Sequence, residues 1–310
     1  MSLLLPDAGK ADFCWVPAAA EIAVKAGSQL RSFFQAGVVT EYKGEVDLVT
    51  VADRTVERYL RQALAESFPQ HGIFGEEGTR DRLDSDFRWY VDPLDGTTNF
   101  AHGFPHFCVS LGLEDRSAME MESREGLASD GALVAAVIYD PMREELFVAE
   151  QGQGAWCNGQ RIHVSSALHL AESLIATGFP SRKRHANPNI HFYQEFTLRS
   201  HGVRRAGSAA LDLAYVAAGR LDAFWEFHLN PWDTAAGFLL VEEAGGRVSV
   251  FDGGPRELNS REVLATNGNI HNEMLETFEA LFAGRDLDPI PTPAEYAEGR
   301  RRAAEASPTK

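Results

Sequence analysis

Cysteine and long apolar runs are both scarce in the sequence. Only three cysteines occur among 310 residues, and their odd number and wide spacing argue against a disulfide framework or a zinc site. No stretch reaches the roughly 18 uninterrupted apolar residues of a membrane span. The opening MSLLLP also lacks the basic region of a signal peptide. These absences predict a soluble, cytoplasmic protein with no membrane partner.

Basic residues are also in deficit. The chain carries 29 Lys and Arg against 45 Asp and Glu, a formal net charge of -16. General nucleic-acid binding depends on phosphate neutralisation by basic side chains, so this balance predicts no nucleic-acid partner. A protein of this charge can still bind an anionic substrate at a cluster of acidic residues if divalent cations supply positive charge there.

Apolar residues recur at helical spacing near the start of the chain. Ile22, Ala26 and Leu30 lie one turn apart and predict an amphipathic helix within 18–36. A second helix is predicted to begin at Asp53, after a short extended hairpin. Runs such as RWYVD, FCVSLGL and ALVAAVIY then predict strands, and later segments alternate between strand and helix.

This pattern predicts an α+β half over 1–150, an α/β half over 151–284 and a poorly ordered tail over 285–310. The glycine-rich GQGAWCNG at 152–159 predicts a β-turn region, because it lacks the third glycine of a dinucleotide fingerprint. The polar segment 114–131 predicts a solvated hairpin loop, to which we assign no function.

The segment DPLDGTTNF, which begins at Asp92, carries the strongest chemical signal. Pro93 restricts the residue before it to extended conformations, so Asp92 is predicted to be held at a strand end. Asp95 lies in the following turn, and Gly96 and Thr97 would open a short helix whose free N–H groups suit a phosphate. Carboxylate oxygens are hard ligands that suit Mg²⁺. The loop therefore predicts a combined metal and phosphate site.

Other acidic residues stand at predicted element boundaries beside small residues. Glu76 and Glu77 occur in FGEEG, Asp53 closes VTVAD, and Asp233 in NPWDTAAG is expected to cap a helix beginning at Thr234. Each taken alone also suits an ordinary helix cap or a solvated loop. Their joint occurrence is what points to a site.

Taken together, the motifs resemble those of one enzyme family. GEE at 75–77, DPLDGTTNF at 92–100 and WDTAAG at 232–237, in this order and spacing, resemble the inositol monophosphatase family of Mg²⁺-dependent, lithium-sensitive phosphatases. The resemblance covers about 17–284. It implies a layered αβαβα sandwich of the inositol monophosphatase and fructose-1,6-bisphosphatase type, with the site between the two halves, and a homodimer.

The resemblance also implies a set of metal ligands. Glu76, Asp92 and the backbone carbonyl of Leu94 would hold a first Mg²⁺ ion, whereas Asp92, Asp95 and Asp233 would hold a second. A third, weaker ion would lie near Glu76. Since several carboxylates would otherwise repel a phosphate dianion, the ions are needed to reverse the local charge.

Catalytic and substrate-binding residues follow from the same resemblance. Glu76, Thr97 and Asp53 would be catalytic, with Thr97 paired to Asp53 so that it orients the attacking water. The N–H groups of Gly96 and Thr97 would hold phosphate oxygens. The alcohol part of the substrate would meet four further residues: Gly207, Ser208, Ala209 and Glu226. Water would attack phosphorus directly, with no covalent phosphoenzyme.

The substrate is left open among several phosphate esters. Glu226, seven residues before Asp233, can accept hydrogen bonds from a polyol and favours inositol monophosphate. The alternatives within the family are fructose 1,6-bisphosphate, histidinol phosphate, NADP and 3'-phosphoadenosine 5'-phosphate. Arg204 and the basic run at 181–185 could reach a second phosphate, although such a run is also typical of a solvated surface.

Two readings from other classes stay open at this point. Phosphatases of the haloacid-dehalogenase type use an Asp-x-Asp-Gly-Thr loop with a nucleophilic first Asp, but Pro93 stands at that position here. A catalytically silent protein that binds a metal or ligand is the other reading. It is disfavoured because every acidic residue of the motifs is present.

Overall fold

The chain forms a two-stranded hairpin, an eight-stranded sheet and a five-stranded sheet, with helices packed between and around them. This is seen in a computed structural model, which describes residues 5–6, 9–37, 40–42, 48–119, 131–179, 188–285 and 293–298. Within these residues, no helix combines the length and the apolar content that crossing a membrane requires.

The first part of the chain contains two long helices and the larger sheet. Its elements are α1 (Val16–Ala36), β1 (Thr40–Tyr42), β2 (Leu48–Thr50), α2 (Val51–Ser67), β3 (Gly72–Gly75), β4 (Arg80–Asp81), β5 (Phe87–Asp95), α3 (Thr97–Ala101), β6 (Cys108–Asp115), β7 (Ala132–Asp140), β8 (Glu145–Glu150), β9 (Gly154–Cys157) and β10 (Gln160–Arg161). The strand order is β10-β9-β8-β7-β6-β5-β3-β4. The β3–β5 pair is parallel and the other pairs of this sheet are antiparallel.

The second part of the chain builds the smaller sheet and the helices that flank it. After a 3₁₀ turn at Leu170–Glu172 come β11 (Leu174–Thr177), α4 (Asn189–Arg199), β12 (Gly202–Arg204), α5 (Ala209–Ala217), β13 (Ala223–Phe227), α6 (Pro231–Glu243), β14 (Arg247–Ser249), β15 (Glu262–Thr266) and α7 (His271–Phe282). The strand order is β12-β11-β13-β15-β14. β11 runs parallel to β12 and β13, whereas β15 runs antiparallel to β13 and β14.

The alternation of side chains along the strands divides the core into three clusters. In β5, Trp89 and Val91 face α1 and α2, whereas Tyr90 faces the opposite side, toward α5 and α6. In β13, Phe224 also faces α5 and α6, whereas Trp225 packs against α4 and α7. Both sheets are therefore covered on two faces, and the predicted αβαβα sandwich is confirmed.

Some local predictions are wrong. The second helix, expected to begin at Asp53, begins at Val51. The helix expected to begin at Thr234 begins at Pro231, and its cap is Asn230 instead of Asp233. Proline suits the first helical position, where its missing N–H has no partner to lose. The segment read as a β-turn region contains strand β9, because Gly154–Cys157 pairs with β8.

Several other predictions are not decided by the structure. The larger sheet continues to Arg161, and the boundary between halves at 150/151 stays a prediction. The solvated loop predicted over 114–131 is wrong at its start, because β6 continues to Asp115, and Glu114 and Arg116 are fully buried, where they form an ion pair. Residues 120–130 of that loop and the basic run at 181–185 lie outside the described residues. Of the tail, 293–298 is described, as helix, and its predicted disorder is otherwise outside the described residues.

Gly112 is where β6 comes closest to α6. A Cβ atom on this glycine would lie 2.6 Å from the Cβ of Ala235 and 2.7 Å from the backbone N of Ala236. These distances are shorter than non-bonded carbon contacts allow. Since Asp233 lies in the first turn of α6, the contact also fixes the distance between Asp233 and the larger sheet.

We therefore expect Gly112→Ala to destabilise the protein by about 1–3 kcal/mol, the usual cost of overpacking a core. Urea unfolding measures the change. Gly254→Ala is the matched control, because the nearest atom there is Oδ1 of the flexible Asp252 side chain. Equal unfolding midpoints for the two variants would contradict a tight β6–α6 contact.

Candidate functional site

Asp92 lies at a bulge near the end of β5. Asp92 pairs with Ser110 and Asp95 pairs with Cys108, so three steps along β5 match two steps along β6. Pro93 lies inside this irregularity, where the absence of its N–H costs no ladder bond. The Leu94 N–H donates to Oδ1 of Asp92 at 2.9 Å. The carboxylate of Asp92 is thus buried, 2% exposed, and held by its own loop.

Asp95 connects the larger sheet to the start of α5. Its Oδ2 accepts a hydrogen bond from the Ser208 hydroxyl at 2.6 Å and another from the Ala210 N–H at 2.8 Å. Ser208 is the N-cap of α5 and also accepts from the Leu211 N–H. The Ser208 side chain therefore contacts the site through its hydrogen bond to the Asp95 carboxylate.

The hydroxyl of Thr97 lies between two oxygen acceptors. Its Oγ1 is 3.2 Å from Oδ1 of Asp53 and 3.1 Å from the carbonyl oxygen of Leu94. Asp53 is fully buried in the first turn of α2. The helix α3 begins at Thr97 after Gly96, whose φ of 99° suits glycine. The predicted Thr97–Asp53 pair is therefore present in the structure.

Asn99 fixes the position of the segment before α5. Its Nδ2 donates to the carbonyl oxygens of His106 at 2.8 Å and Ala206 at 2.9 Å, and lies 3.3 Å from that of Gly207. The predicted substrate segment, Gly207 to Ala209, is thus brought beside the 92–100 loop.

Asp233 is the third residue of α6 and takes part in a capping box. Its Oδ2 accepts from the Asn230 N–H at 2.7 Å and from the Asn230 side-chain amide at 3.2 Å. Glu76 follows β3, and its N–H donates to the Val91 carbonyl at 3.1 Å. Asp233 is therefore held in the first turn of α6, and Glu76 is held by a backbone hydrogen bond to β5.

The acidic side chains of the site interact electrostatically. Burial raises the pKa of Asp92 well above its usual range, and the carboxylates of Glu76, Asp95 and Asp233 raise it further. Burial also raises the pKa of Asp233, to about 7, although its bonds from Asn230 oppose this. The pKa of Asp95 is raised by burial and lowered by its bonds from Ser208 and Ala210. Four like charges thus share one region.

The donor set suits a hard divalent cation. Carboxylate and carbonyl oxygens are the ligands that Mg²⁺ prefers, and a cation relieves the repulsion among neighbouring carboxylates. Within the part of the chain that the structure describes, no three acidic, His or Cys side chains converge closely enough to form a ready coordination group. The charges and the ligand chemistry therefore fit a metal, whereas the side-chain positions do not yet define a coordination sphere.

Glu226, which is predicted to meet the alcohol, lies near a second buried carboxylate, Asp212, that was not predicted from the sequence. Glu226 in β13 is 8% exposed and packs on Gly178, where a Cβ would lie 2.0 Å from Oε2. Burial and the nearby Asp212 raise the pKa of Glu226. Asp212 in α5 is 2% exposed. A single acidic residue in the apolar run AALDLAYVA was the available signal.

Comparison with known proteins assigns the chain to a family. The Inositol monophosphatase family profile matches residues 14–121 and 126–282. The inositol-1-monophosphatase of Synechocystis sp. is 42% identical over 271 residues, covering 86% of this chain and 89% of that relative. Nus factor SuhB of Escherichia coli (strain K12) is 42% identical over 261 residues, covering 83% of this chain and 92% of that relative.

A solved structure agrees with these relatives. The inositol monophosphatase from Anabaena (Nostoc) sp. is 38% identical, with a TM-score of 0.73, over 86% of this chain and 95% of that chain. The chain belongs to the inositol monophosphatase family. The resemblance of its motifs is thereby confirmed.

The burial of Asp212 makes stability depend on pH. Burial and the Asp95 carboxylate raise the pKa of Asp212, whereas Arg205 lowers it. A carboxyl whose pKa is raised on folding stabilises the fold below its unfolded pKa of about 3.9 and loses that contribution as pH rises through the folded pKa. A tenfold difference in proton affinity between the folded and unfolded states corresponds to about 1.4 kcal/mol of stability.

We therefore expect Asp212→Asn to raise the melting temperature of the EDTA-treated protein, by more at pH 8 than at pH 5. Thermal unfolding of wild type and variant at both pH values measures the difference. Asp84→Asn, at an exposed position, is the control and should shift neither value. An equal effect of Asp212→Asn at pH 5 and pH 8 would contradict the account.

Proposed function

We propose that the protein is a Mg²⁺-dependent phosphomonoester hydrolase whose substrate is inositol monophosphate. The observation that carries the proposal is the group of four interacting carboxylates, Glu76, Asp92, Asp95 and Asp233, beside the Thr97–Asp53 pair. Membership in the family and the similarity to proteins named inositol-1-monophosphatase support it.

The same residues are proposed to hold the metal. Glu76, Asp92 and the Leu94 carbonyl would bind one Mg²⁺, and Asp92, Asp95 and Asp233 a second, with a third, weaker ion near Glu76. The Leu94 carbonyl lies 3.1 Å from the Thr97 hydroxyl, and a carbonyl oxygen has a second lone pair for a cation. When bound, the cations supply positive charge for the phosphate and activate water for attack.

Thr97 is proposed to orient the attacking water. Its hydroxyl can donate to Asp53, 3.2 Å away, which leaves its oxygen lone pairs free to accept a hydrogen bond from water. Glu76 completes the catalytic group on the neighbouring turn. Water would then displace the alcohol from phosphorus directly, so that no side chain needs to act as nucleophile.

The phosphate and the alcohol are proposed to bind to neighbouring segments of the site. The N–H groups of Gly96 and Thr97 would hold phosphate oxygens. The segment from Gly207 to Ala209 and the Glu226 carboxylate would meet the polyol, whose hydroxyls are hydrogen-bond donors. Since the Ser208 hydroxyl donates to Asp95 at 2.6 Å, its side chain is proposed to support that carboxylate.

Further properties are proposed from the family. Inhibition by Li⁺, a cytoplasmic location and a homodimer are among them. The other family substrates, from fructose 1,6-bisphosphate to 3'-phosphoadenosine 5'-phosphate, stay alternatives to inositol monophosphate. The absence of a nucleic-acid partner stays a prediction from the net charge of -16, and the name Nus factor SuhB belongs to the relative.

The proposal predicts that wild type releases phosphate from inositol 1-phosphate, with Mg²⁺ required and Li⁺ inhibitory. Asp95→Asn is expected to abolish this turnover while the fold persists, because it removes a ligand charge at a loop. Phosphate release from inositol 1-phosphate, fructose 1,6-bisphosphate, histidinol phosphate, NADP and 3'-phosphoadenosine 5'-phosphate measures activity and preference, and circular dichroism reports the fold.

Asp84→Asn removes an exposed carboxylate and should leave turnover unchanged. Normal Mg²⁺-dependent activity in Asp95→Asn would sink the assignment of metal ligands. Preference for another ester of the panel would keep the mechanism and replace the substrate.

Thr97→Ala is expected to lower kcat by about 10²-fold or more, with a smaller change in KM, if the hydroxyl acts on water in the transition state. Thr97→Ser keeps the hydroxyl and should retain most activity. The neighbouring Thr98 is exposed, so Thr98→Ala is the matched control. A change in KM alone would refute the role of Thr97.

A further inference from the structure

Helix α2 carries two buried carboxylates one turn apart. Asp53 is 0% exposed and Glu57 is 5% exposed. Residues four apart lie on the same helix face, about 6 Å apart along the axis. Asp53 meets Thr97 at the start of α3. Glu57 lies on the same face and meets the turn that contains Glu76.

Glu57 binds this turn through the residues that follow Glu76. Its Oε2 accepts from the Glu77 N–H at 2.6 Å, and its Oε1 accepts from the Thr79 N–H at 2.9 Å and the Thr79 hydroxyl at 2.6 Å. The Gly75 N–H closes the turn on the Thr79 carbonyl at 2.9 Å. One carboxylate therefore receives three hydrogen bonds from the two residues Glu77 and Thr79, which follow Glu76 in the same closed turn.

Gly75 leaves room for the Glu57 carboxylate, and Arg80 binds the same turn. A Cβ on Gly75 would lie 2.9 to 3.1 Å from the Glu57 carboxylate atoms, so this close approach requires a glycine. Arg80 donates to the carbonyl oxygens of Gly75 and Thr79 and stacks over the Phe74 ring, 3.6 Å from its centroid. The turn is thus bound from both sides.

We propose that Glu57 is a positioning residue that sets the place of Glu76 relative to the Thr97–Asp53 pair. Helix α2 contacts both parts of the site. Asp53 contacts Thr97, and Glu57 contacts the turn that contains Glu76. The inference rests on the proposed function, in which Glu76 is a metal ligand. Neutralising Glu57 should therefore weaken divalent-cation binding without touching a ligand.

The test is Glu57→Gln, measured by isothermal titration calorimetry with Mg²⁺ and by phosphate release from inositol 1-phosphate. A glutamine has the same size, but its amide nitrogen cannot accept a hydrogen bond, so at least one bond to the turn is lost. We expect Mg²⁺ affinity to fall about 10- to 100-fold, as for other residues that orient metal ligands. Activity should shift to higher Mg²⁺ concentration and recover substantially at saturation.

Glu66→Gln is the matched control, because Glu66 is an exposed carboxylate on the same helix that accepts a bond from Gln62. It should leave Mg²⁺ affinity unchanged. Thr79→Val is a milder variant that removes only the hydroxyl bond to Glu57, and it should weaken Mg²⁺ binding by less. Thr79→Ser should retain wild-type affinity. This pair keeps the test decisive if Glu57→Gln does not fold.

A Glu57→Gln protein with wild-type Mg²⁺ affinity would overturn the inference, even if its melting temperature fell, because its role would then be structural only. If Glu57→Gln does not fold, equal affinities for Thr79→Val and Thr79→Ser would overturn it. Wild-type protein that binds no Mg²⁺ and releases no phosphate would overturn both this inference and the proposed function.

Discussion

Like-charge repulsion within one group of carboxylates shapes the architecture of the site. Asp92, Asp95, Asp233 and Glu76 carry like charges in one region, and desolvation raises the pKa of Asp92, Asp95 and Asp233 and so favours their protonation. Hydrogen bonds oppose that tendency at Asp92, Asp95 and Asp233: the Leu94 N–H donates to Asp92, Ser208 to Asp95 and Asn230 to Asp233. These hydrogen bonds stabilise the charged carboxylates, which can then bind a cation. In the proposed reaction the cation is needed to attract the phosphate.

The layered fold brings these supports together from distant parts of the chain. The end of β5 supplies Asp92 and Asp95, while the first turn of α6 supplies Asp233 and the first turn of α2 supplies Asp53. The bonds from Ser208 and Ala210 to Asp95 join the larger sheet to α5. Since α5 and α6 lie between the two sheets, sliding of one layer would change the distances in the site. Packing and chemistry are therefore coupled.

The sequence predicted features that depend on neighbouring residues better than features that depend on tertiary contacts. Pro93 and Gly96 restrict the chain locally, so the 92–100 loop and its strand and helix could be placed. Glu57 could not be recognised, because its partners Glu77 and Thr79 are 20 and 22 residues away. The burial of Asp212 was not predicted, because the sequence of α5 does not show which face of the helix packs toward the site. The cap at Asn230 was locally readable from the proline after it, but was assigned to Asp233.

A crystal structure with Mn²⁺, located by anomalous scattering, would show whether the carboxylates form one divalent-metal site. We expect two strong peaks, one bound by Glu76, Asp92 and the Leu94 carbonyl, and the other by Asp92, Asp95 and Asp233. The bound cations would then neutralise the repulsion among these carboxylates. Mn²⁺ bound only elsewhere on the protein, or absent at millimolar concentration while these carboxylates are ordered, would contradict the account.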